Sequence, residues 1–287
     1  MGKIVIVGSG PAGCSAALYA ARAGQEVVVI SMGMGALSKA ELIQNYYGFE
    51  EGITGAELYR QGVAGAKAVG AEFITAEVVG LDYAATLVVQ TTEGDYPADA
   101  VILATGAGRI APKIAGLAEH EGRGVSYCAT CDAFFYRGKT AAVLGSGEYA
   151  LHEVQALLPL AGRVILCTNG EPLTADFPEG VEICTEKLAA VEGEEKVSAL
   201  RLENGELLPV EGLFVALGVA GSAALARKLG APVENGRIVV DERMQTGIPG
   251  LYAAGDCTGG LLQVCKAVYE GALAATEAIK MLRGKKR

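Results

Sequence analysis

Residues 3–31 restrict the possible folds more than any other stretch. Lys3–Val7 is a short run rich in β-branched residues, the pattern of a parallel strand covered on both faces. Gly8–Ser9–Gly10–Pro11–Ala12–Gly13 follows, then a small-residue helical run at 14–23, a stop at Gly24 and a second strand at 26–30. A GxGxxG loop by itself says little. Within a strand–loop–helix–strand unit of about thirty residues it predicts a dinucleotide site, because the glycines admit a pyrophosphate to the backbone and the helix amino end attracts it. A tight turn without a ligand is the bland alternative. At the end of the second strand, where an acidic residue often holds a ribose, stands Ser31.

The same pattern recurs further on. Thr140–Leu144 reads as a strand, Gly145–Ser146–Gly147–Glu148–Tyr149–Ala150 as GxGxxA, 151–158 as a helix and Arg163–Cys167 as the next strand. An internal repeat of this kind predicts an α/β fold with two Rossmann-like, three-layer dinucleotide-binding domains. Between the repeats lie an amphipathic helix at 54–69 and strands at 73–75, Val78–Tyr83, 86–92 and 99–104, with a reversal at Glu93–Gly94–Asp95. After the second repeat come a hairpin, 197–202 and 207–210, turning at Asn204–Gly205, and strands at 213–216, 238–240 and 251–254. Gly255–Asp256 then leads into a long helix at 263–282 with a small apolar stripe (Val264, Ala267, Val268, Gly271, Ala275) that reads as core. The polar-aromatic stretch Asn45–Tyr46–Tyr47–Gly48–Phe49 suggests a loop over a bound ring.

Between the repeats, Cys128–Ala129–Thr130–Cys131–Asp132 places two thiols three residues apart with a carboxylate beside them. Such a pair closes a small disulfide ring, although half of a zinc site has the same spacing. No second CxxC and no HxxxH follows, the other five cysteines stand singly, and the only histidines are His120 and His152. The redox reading is therefore preferred, and the flanking nucleotide motifs reinforce it. Cys14 reads as packing, Cys257 and Cys265 carry no assigned chemistry, and His152 reads as a surface or pocket-filling residue. A net charge of −9 argues against nucleic acid and an anionic membrane surface as partners. No signal sequence or spanning run is expected, and an odd number of cysteines, seven, does not make a disulfide scaffold. A cytoplasmic protein with mostly reduced thiols is expected.

Five blocks in order carry a resemblance: Gly8–Ser9–Gly10–Pro11–Ala12–Gly13, Ala104–Thr105–Gly106–Ala107, Cys128–Ala129–Thr130–Cys131–Asp132, Val215–Ala216–Leu217–Gly218 and Ala253–Ala254–Gly255–Asp256. With these the sequence resembles the low-molecular-weight thioredoxin reductases almost end to end. The resemblance implies an FAD-binding domain from 1–111 and 222–287, with the cysteine pair and second nucleotide fold in a central domain, 112–221. It implies a homodimer and a thioredoxin or thioredoxin-like protein as partner. Gly8, Ser9, Gly10, Pro11, Ala12 and Gly13 would hold the FAD pyrophosphate. Ser31, Gly35, Ala36, Leu37, Asn45, Val78, Ala104, Thr105, Gly106, Gly255, Asp256, Gln263 and Val264 would lie along the same cofactor. Cys131 would face the flavin, Cys128 would attack the partner disulfide, and Asp132 would be the acid–base group. No metal is implied. Ala133 stands where the family has glycine.

The second nucleotide unit departs from the NADPH-using members. Their His-Arg-Arg cluster grips the distinguishing phosphate, whereas Cys167–Thr168–Asn169–Gly170–Glu171–Pro172–Leu173 contains no cation. Losing several charge-assisted hydrogen bonds, each worth about 1.5–3 kcal/mol, would abolish NADPH selectivity. Tyr149 replaces a small hydroxyl residue, and the segment after Leu173 is about ten residues short, the length of a helix of three turns. In this the sequence is similar to the ferredoxin-dependent flavin thioredoxin reductases, which makes reduced ferredoxin the expected electron donor. An NAD(P)H-dependent reductase, a diflavin disulfide oxidoreductase and a flavoprotein sensor without turnover are the alternatives.

Overall fold

The computed structural model describes residues 2–106, 114–217 and 221–284. The expected domain boundary at residue 111, the motif ends Ala107 and Gly218, and residues 285–287 lie outside them. The chain divides into two compact units, Met1–Arg109 with Gly221–Arg287, and Ile110–Ala220.

The first unit opens with β1 (Lys3–Val7), α1 (Pro11–Arg22) and β2 (Glu26–Ser31), followed by α2 (Gly55–Ala68) and β3 (Glu72–Thr75). A three-stranded antiparallel sheet, β4 (Val78–Tyr83), β5 (Leu87–Thr91) and β6 (Gly94–Ala98), precedes β7 (Ala100–Leu103). In the second unit come β8 (Val125–Ser126), α3 (Ala129–Asp132), β9 (Thr140–Leu144), α4 (Glu148–Leu157), β10 (Arg163–Cys167) and β11 (Glu182–Cys184). A further antiparallel sheet of β12 (Leu188–Glu192), β13 (Ala199–Leu202) and β14 (Leu207–Pro209) leads to β15 (Gly212–Val215). The chain returns to the first unit with α5 (Ser222–Lys228), the hairpin β16 (Val233–Glu234) and β17 (Arg237–Ile238), then β18 (Leu251–Ala253) and α6 (Val264–Gly284).

Each unit is built on a five-stranded parallel sheet, ordered β18-β7-β1-β2-β3 in the first and β11-β10-β9-β15-β8 in the second. The apolar runs of β1, β7, β9 and β10 are buried almost throughout, as strands covered on both faces must be. The duplication extends to single atoms. A Cβ on Gly8 would meet the Ala104 carbonyl oxygen at 2.3 Å, and one on Gly145 would meet that of Ala216 at 2.2 Å. Small residues also set the close approach of α1 and α6, where a Cβ on Gly271 would stand 2.0 Å from the Ala12 carbonyl oxygen. Ala16, Ala20, Ala274, Ala275 and Ala278 are buried in the same core. Of the apolar stripe on α6, Ala267, Gly271 and Ala275 are buried as core, whereas Val264 and Val268 are partly buried, and Val264 and Ala267 also line the cavity of this unit.

Several boundaries differ from the sequence reading. Helices expected to start at 14 and 151 start three residues earlier, at Pro11 and Glu148, with Gly10 and Gly147 as their N-caps. The last residues of each glycine motif are therefore the first helical turn, and proline at the first position is pre-set for it. Chain reversal after β5 occurs before Gly94, which already belongs to β6. Instead of a strand at 238–240 there is the hairpin β16–β17, turning on Asn235 and Gly236, both at positive φ (50° and 71°). Among the described residues, no helix is long and apolar enough to cross a membrane.

Candidate functional site

Within the first unit a cavity of about 460 Å³ opens at the carboxyl ends of the parallel strands. Of the nineteen residues expected to contact a cofactor, all but Gly13, Ser31 and Val78 line it. Gly13 packs behind the loop, where a Cβ would stand 1.9 Å from the Gly8 carbonyl oxygen. Ser31 hydrogen-bonds through its hydroxyl to Ser9 Oγ at 2.7 Å, and Ser9 Oγ also meets the Tyr59 hydroxyl at 3.1 Å. Val78 is buried in β4. Met34, Leu42, Ile43 and Leu262 add an apolar wall that motif reading did not foresee.

The loop fits an anionic cofactor. Gly10 has open space where a side chain would point, and α1 begins there without a side-chain cap and without an acidic residue in its first turn. Its free N–H groups and positive dipole end therefore meet whatever enters the cavity. Asn45 Nδ2 donates to Gln263 Oε1 at 2.8 Å, so the 33–45 loop is tied to the start of α6. Ser222, at the start of α5, holds the Ala104–Thr105–Gly106 turn: its N–H donates to Thr105 Oγ1 at 2.9 Å, and the two hydroxyls lie 2.6 Å apart.

Asp256 sits on a turn clamped from α6. Glu270 Oε2 accepts from the Gly255 N–H at 2.8 Å and the Thr258 hydroxyl at 2.9 Å. The same oxygen pairs with Lys266 Nζ at 2.9 Å, and Lys266 also donates to the carbonyls of Gly255 and Gly259. Burial pushes the Asp256 carboxyl above its usual range; Glu270 pushes the same way and Lys266 opposes. The i,i+4 spacing of Lys266 and Glu270 was readable, but its object, the Gly255 turn, was not.

In the second unit Cys128 and Cys131 form a disulfide across the first turn of α3. Ser126, on β8, connects the pair to its carboxylate: its hydroxyl donates to Asp132 Oδ2 at 2.7 Å and accepts from the Cys128 N–H at 3.1 Å. Glu153 of α4, fully buried, accepts from the Ala129 N–H and so fixes the start of α3. Its neighbour His152 approaches that carboxylate at 3.4 Å and is half-buried, as a pocket-filling residue. Cys128 is 4% exposed, whereas Cys131 is exposed, as are Phe134 and Phe135. Burial, and then Asp132, push the Tyr136 hydroxyl up. Ser126 and Glu153 carried no sequence signal, because their roles arise from strand and helix packing.

The second glycine loop offers a different surface. A Cβ on Gly147 would stand 3.0 Å from Thr174 Oγ1, and the Thr174 N–H donates to the Ser146 carbonyl at 2.8 Å. The segment after β10 thus folds back over the loop, and it reaches β11 without a helix. Tyr149 is buried in the first turn of α4, its hydroxyl donating to the Tyr127 carbonyl at 3.0 Å. Glu148 puts a carboxylate at that helix start. The stem of Lys187 lies across Gly170, in the turn that follows β10.

The sequence matches the family described as pyridine nucleotide-disulphide oxidoreductase over residues 2–271. It is 35% identical to the thioredoxin reductase of Aquifex aeolicus, over 99% of this chain and 94% of that protein. The atypical thioredoxin reductase TRi of Desulfovibrio vulgaris Hildenborough superposes with a TM-score of 0.93 at 40% identity, covering 99% of each chain. A ferredoxin-flavin thioredoxin reductase of Clostridium acetobutylicum superposes with a TM-score of 0.75 at 36% identity, covering 99% of this chain and 98% of that one. Enzymes of this family are FAD-dependent, and the open glycine loop, the uncapped helix and the clamped Asp256 turn fit that cofactor. With this cavity in one unit and a vicinal disulfide in the other, the chain belongs to the pyridine nucleotide-disulphide oxidoreductase family, among its thioredoxin reductases.

Proposed function

We propose that this chain is a flavin-dependent thioredoxin reductase that draws its electrons from reduced ferredoxin. The first unit is taken as the FAD domain and the second as the redox domain of a cytoplasmic homodimer. The observation that carries the donor assignment is the contrast between the two glycine loops: Gly10 is open, while Gly147 lies under Thr174. A pyrophosphate must approach such a loop at the backbone, and at Gly147 the chain's own side chain takes that place. Glu148 and the buried Tyr149 strengthen the reading, since a carboxylate at a helix amino end repels a phosphate. The Lys187 ammonium is a weak substitute for a cluster of cations.

FAD held at the first glycine loop and the Asp256 turn would supply the conversion of single electrons into a pair. The residues of this chain do the rest. Two electrons break the Cys128–Cys131 bond and leave a thiolate on each sulfur, one of which takes a proton. Asp132, oriented by the Ser126 hydroxyl, is placed to carry that proton. Cys128 as thiolate attacks one sulfur of the thioredoxin disulfide, forming a mixed disulfide and expelling the other sulfur as thiolate. Cys131 then attacks the Cys128 sulfur, which re-forms the ring and expels the second thioredoxin sulfur as thiolate; the proton held by the pair and one from solvent complete dithiol thioredoxin. Cys128 must leave its buried position for the attack, so turnover includes a conformational step.

Anaerobic mixing of the FAD-loaded enzyme with NADPH, NADH and reduced ferredoxin tests the donor. Bleaching of the flavin band is expected with ferredoxin alone; rapid bleaching by either nicotinamide refutes the proposal. Two flavins per chain would instead indicate a second flavin at the Gly145–Gly147 loop.

A further inference from the structure

Five cysteines outside the redox ring are free thiols. Two of them are neighbours. β10 and β11 pair in parallel, and their register sets Cys167 opposite Cys184. In-register residues on adjacent strands lie about 4.8 Å apart, within the roughly 4.4–6.8 Å span over which disulfides form. Both side chains leave the sheet on one face, where Cys167 belongs to the buried core and Cys184 packs against it.

The two sulfurs are not equivalent. Cys167 is fully buried and Cys184 half-buried at the sheet edge. The Cys167 S–H donates to the Cys184 sulfur, which also accepts from the Glu186 N–H. These hydrogen bonds draw the Cys184 thiol down to about 6, against the opposing effects of burial and of the Glu186 and Glu206 carboxylates. The same hydrogen bond, burial and the charges of Cys184 and Glu182 push Cys167 up. An accessible thiolate is thus backed by a protonated partner. β11 has three residues, one neighbouring strand and a non-helical lead-in, so it can shift by the small amount a disulfide needs.

We propose that Cys167 and Cys184 form a second redox-active dithiol, oxidised by a small hydroperoxide, with Cys184 as nucleophile and Cys167 as resolving thiol. In the first step the Cys184 thiolate attacks a peroxide oxygen. The sulfur–oxygen bond forms as the oxygen–oxygen bond breaks, and the departing oxygen takes a proton from solvent to leave as an alcohol, or as water from hydrogen peroxide. In the second, Cys167 loses its proton and attacks the Cys184 sulfur; the disulfide forms and the oxygen leaves as water. Two thiols lose two electrons and the peroxide gains them. The site is distinct from Cys128–Cys131 and needs neither FAD nor thioredoxin to close.

No lysine or arginine lies between Arg163 and Lys187, so trypsin leaves both sulfurs on one peptide, 164–187. The FAD-loaded enzyme is reduced, freed of reductant, treated with one equivalent of hydrogen peroxide per thiol pair, then denatured in iodoacetamide and digested. The peptide is expected to lose two hydrogens and resist alkylation, and dithiothreitol should restore both reactive thiols. A Cys167→Ser variant should accumulate dimedone-reactive sulfenic acid at Cys184, and Cys184→Ser should leave Cys167 unoxidised. Before oxidation, native Cys184 should react with iodoacetamide at pH 7 about two- to threefold faster than an ordinary cysteine, since a thiolate fraction about thirty times larger is largely offset by the lower nucleophilicity of the more acidic thiol. A peptide that carries two alkyl groups after Cys128–Cys131 has closed overturns the proposal, as does a disulfide from Cys184 to a second chain. The unmutated enzyme alone decides between these outcomes, even where a variant fails to fold.

Discussion

Glu270 is the residue whose loss should cost the flavin site most. One of its oxygens serves the Gly255 N–H, the Thr258 hydroxyl and the Lys266 ammonium, and the two charged side chains are only 11% and 13% exposed. Removing one member of a buried ion pair costs about 3–5 kcal/mol. Lys266 keeps the Gly255 and Gly259 carbonyls, which moves the cost to the lower end. The unpaired Gly255 N–H adds a desolvation cost of about 1–3 kcal/mol that overlaps with it. Glu270→Ala should therefore lose about 3–4 kcal/mol, read by urea unfolding of the flavin-loaded enzyme. Because that turn carries Asp256, FAD affinity should fall as well, read by flavin fluorescence on release. The double variant Glu270→Met with Lys266→Met, which replaces the pair by apolar groups, should be more stable than Glu270→Ala alone. A single-variant loss under about 1 kcal/mol, or a double variant less stable than the single, would refute the view that this pair clamps the turn.

Three further outcomes follow from the site. Asp256→Asn should stabilise the flavin-stripped protein at neutral pH while weakening FAD binding. The Asp256 carboxyl is raised above 3.8 in the fold, so it lowers stability above its folded value and the cost fades as pH falls toward 3.8. The variant's advantage in melting temperature should shrink in acid; an advantage that grows there contradicts the sign. Glu153→Ala strips the acceptor from the fully buried Ala129 N–H and should cost about 2 kcal/mol, with faster hydrogen exchange at that amide. Burial pushes Cys14 up to about 12 and Cys257 up to about 11, so neither should react with iodoacetamide in the native enzyme at pH 8; rapid labelling of either would show that the cores around them open readily.

The strands of the first parallel sheet, the three inner strands of the second (β10, β9 and β15) and the two glycine loops were legible because each is a local pattern with one physical solution. An apolar β-branched run covered on both faces must be an interior strand, and Gly8 and Gly145 must be glycine where a neighbouring carbonyl comes within 2.3 Å of a Cβ. The Cys128–Cys131 ring was equally local, since three residues of chain bring the sulfurs together. Helix starts were misplaced because the glycine motif and the first helical turn share residues. β11, β12, α5 and the β16–β17 hairpin were not foreseen, being short, partly exposed or weakly periodic. The decisive features of the sites join residues far apart in the chain: Thr174 over Gly147, Glu270 beneath Gly255, Glu153 under Ala129, and Cys167 beside Cys184. Sequence alone determined the repeated α/β scaffold and the redox ring, because backbone sterics and burial act over a few residues. Which glycine loop stays open, and which thiols meet, was decided by tertiary structure, because a hydrogen bond or a strand register depends on where distant segments come to rest.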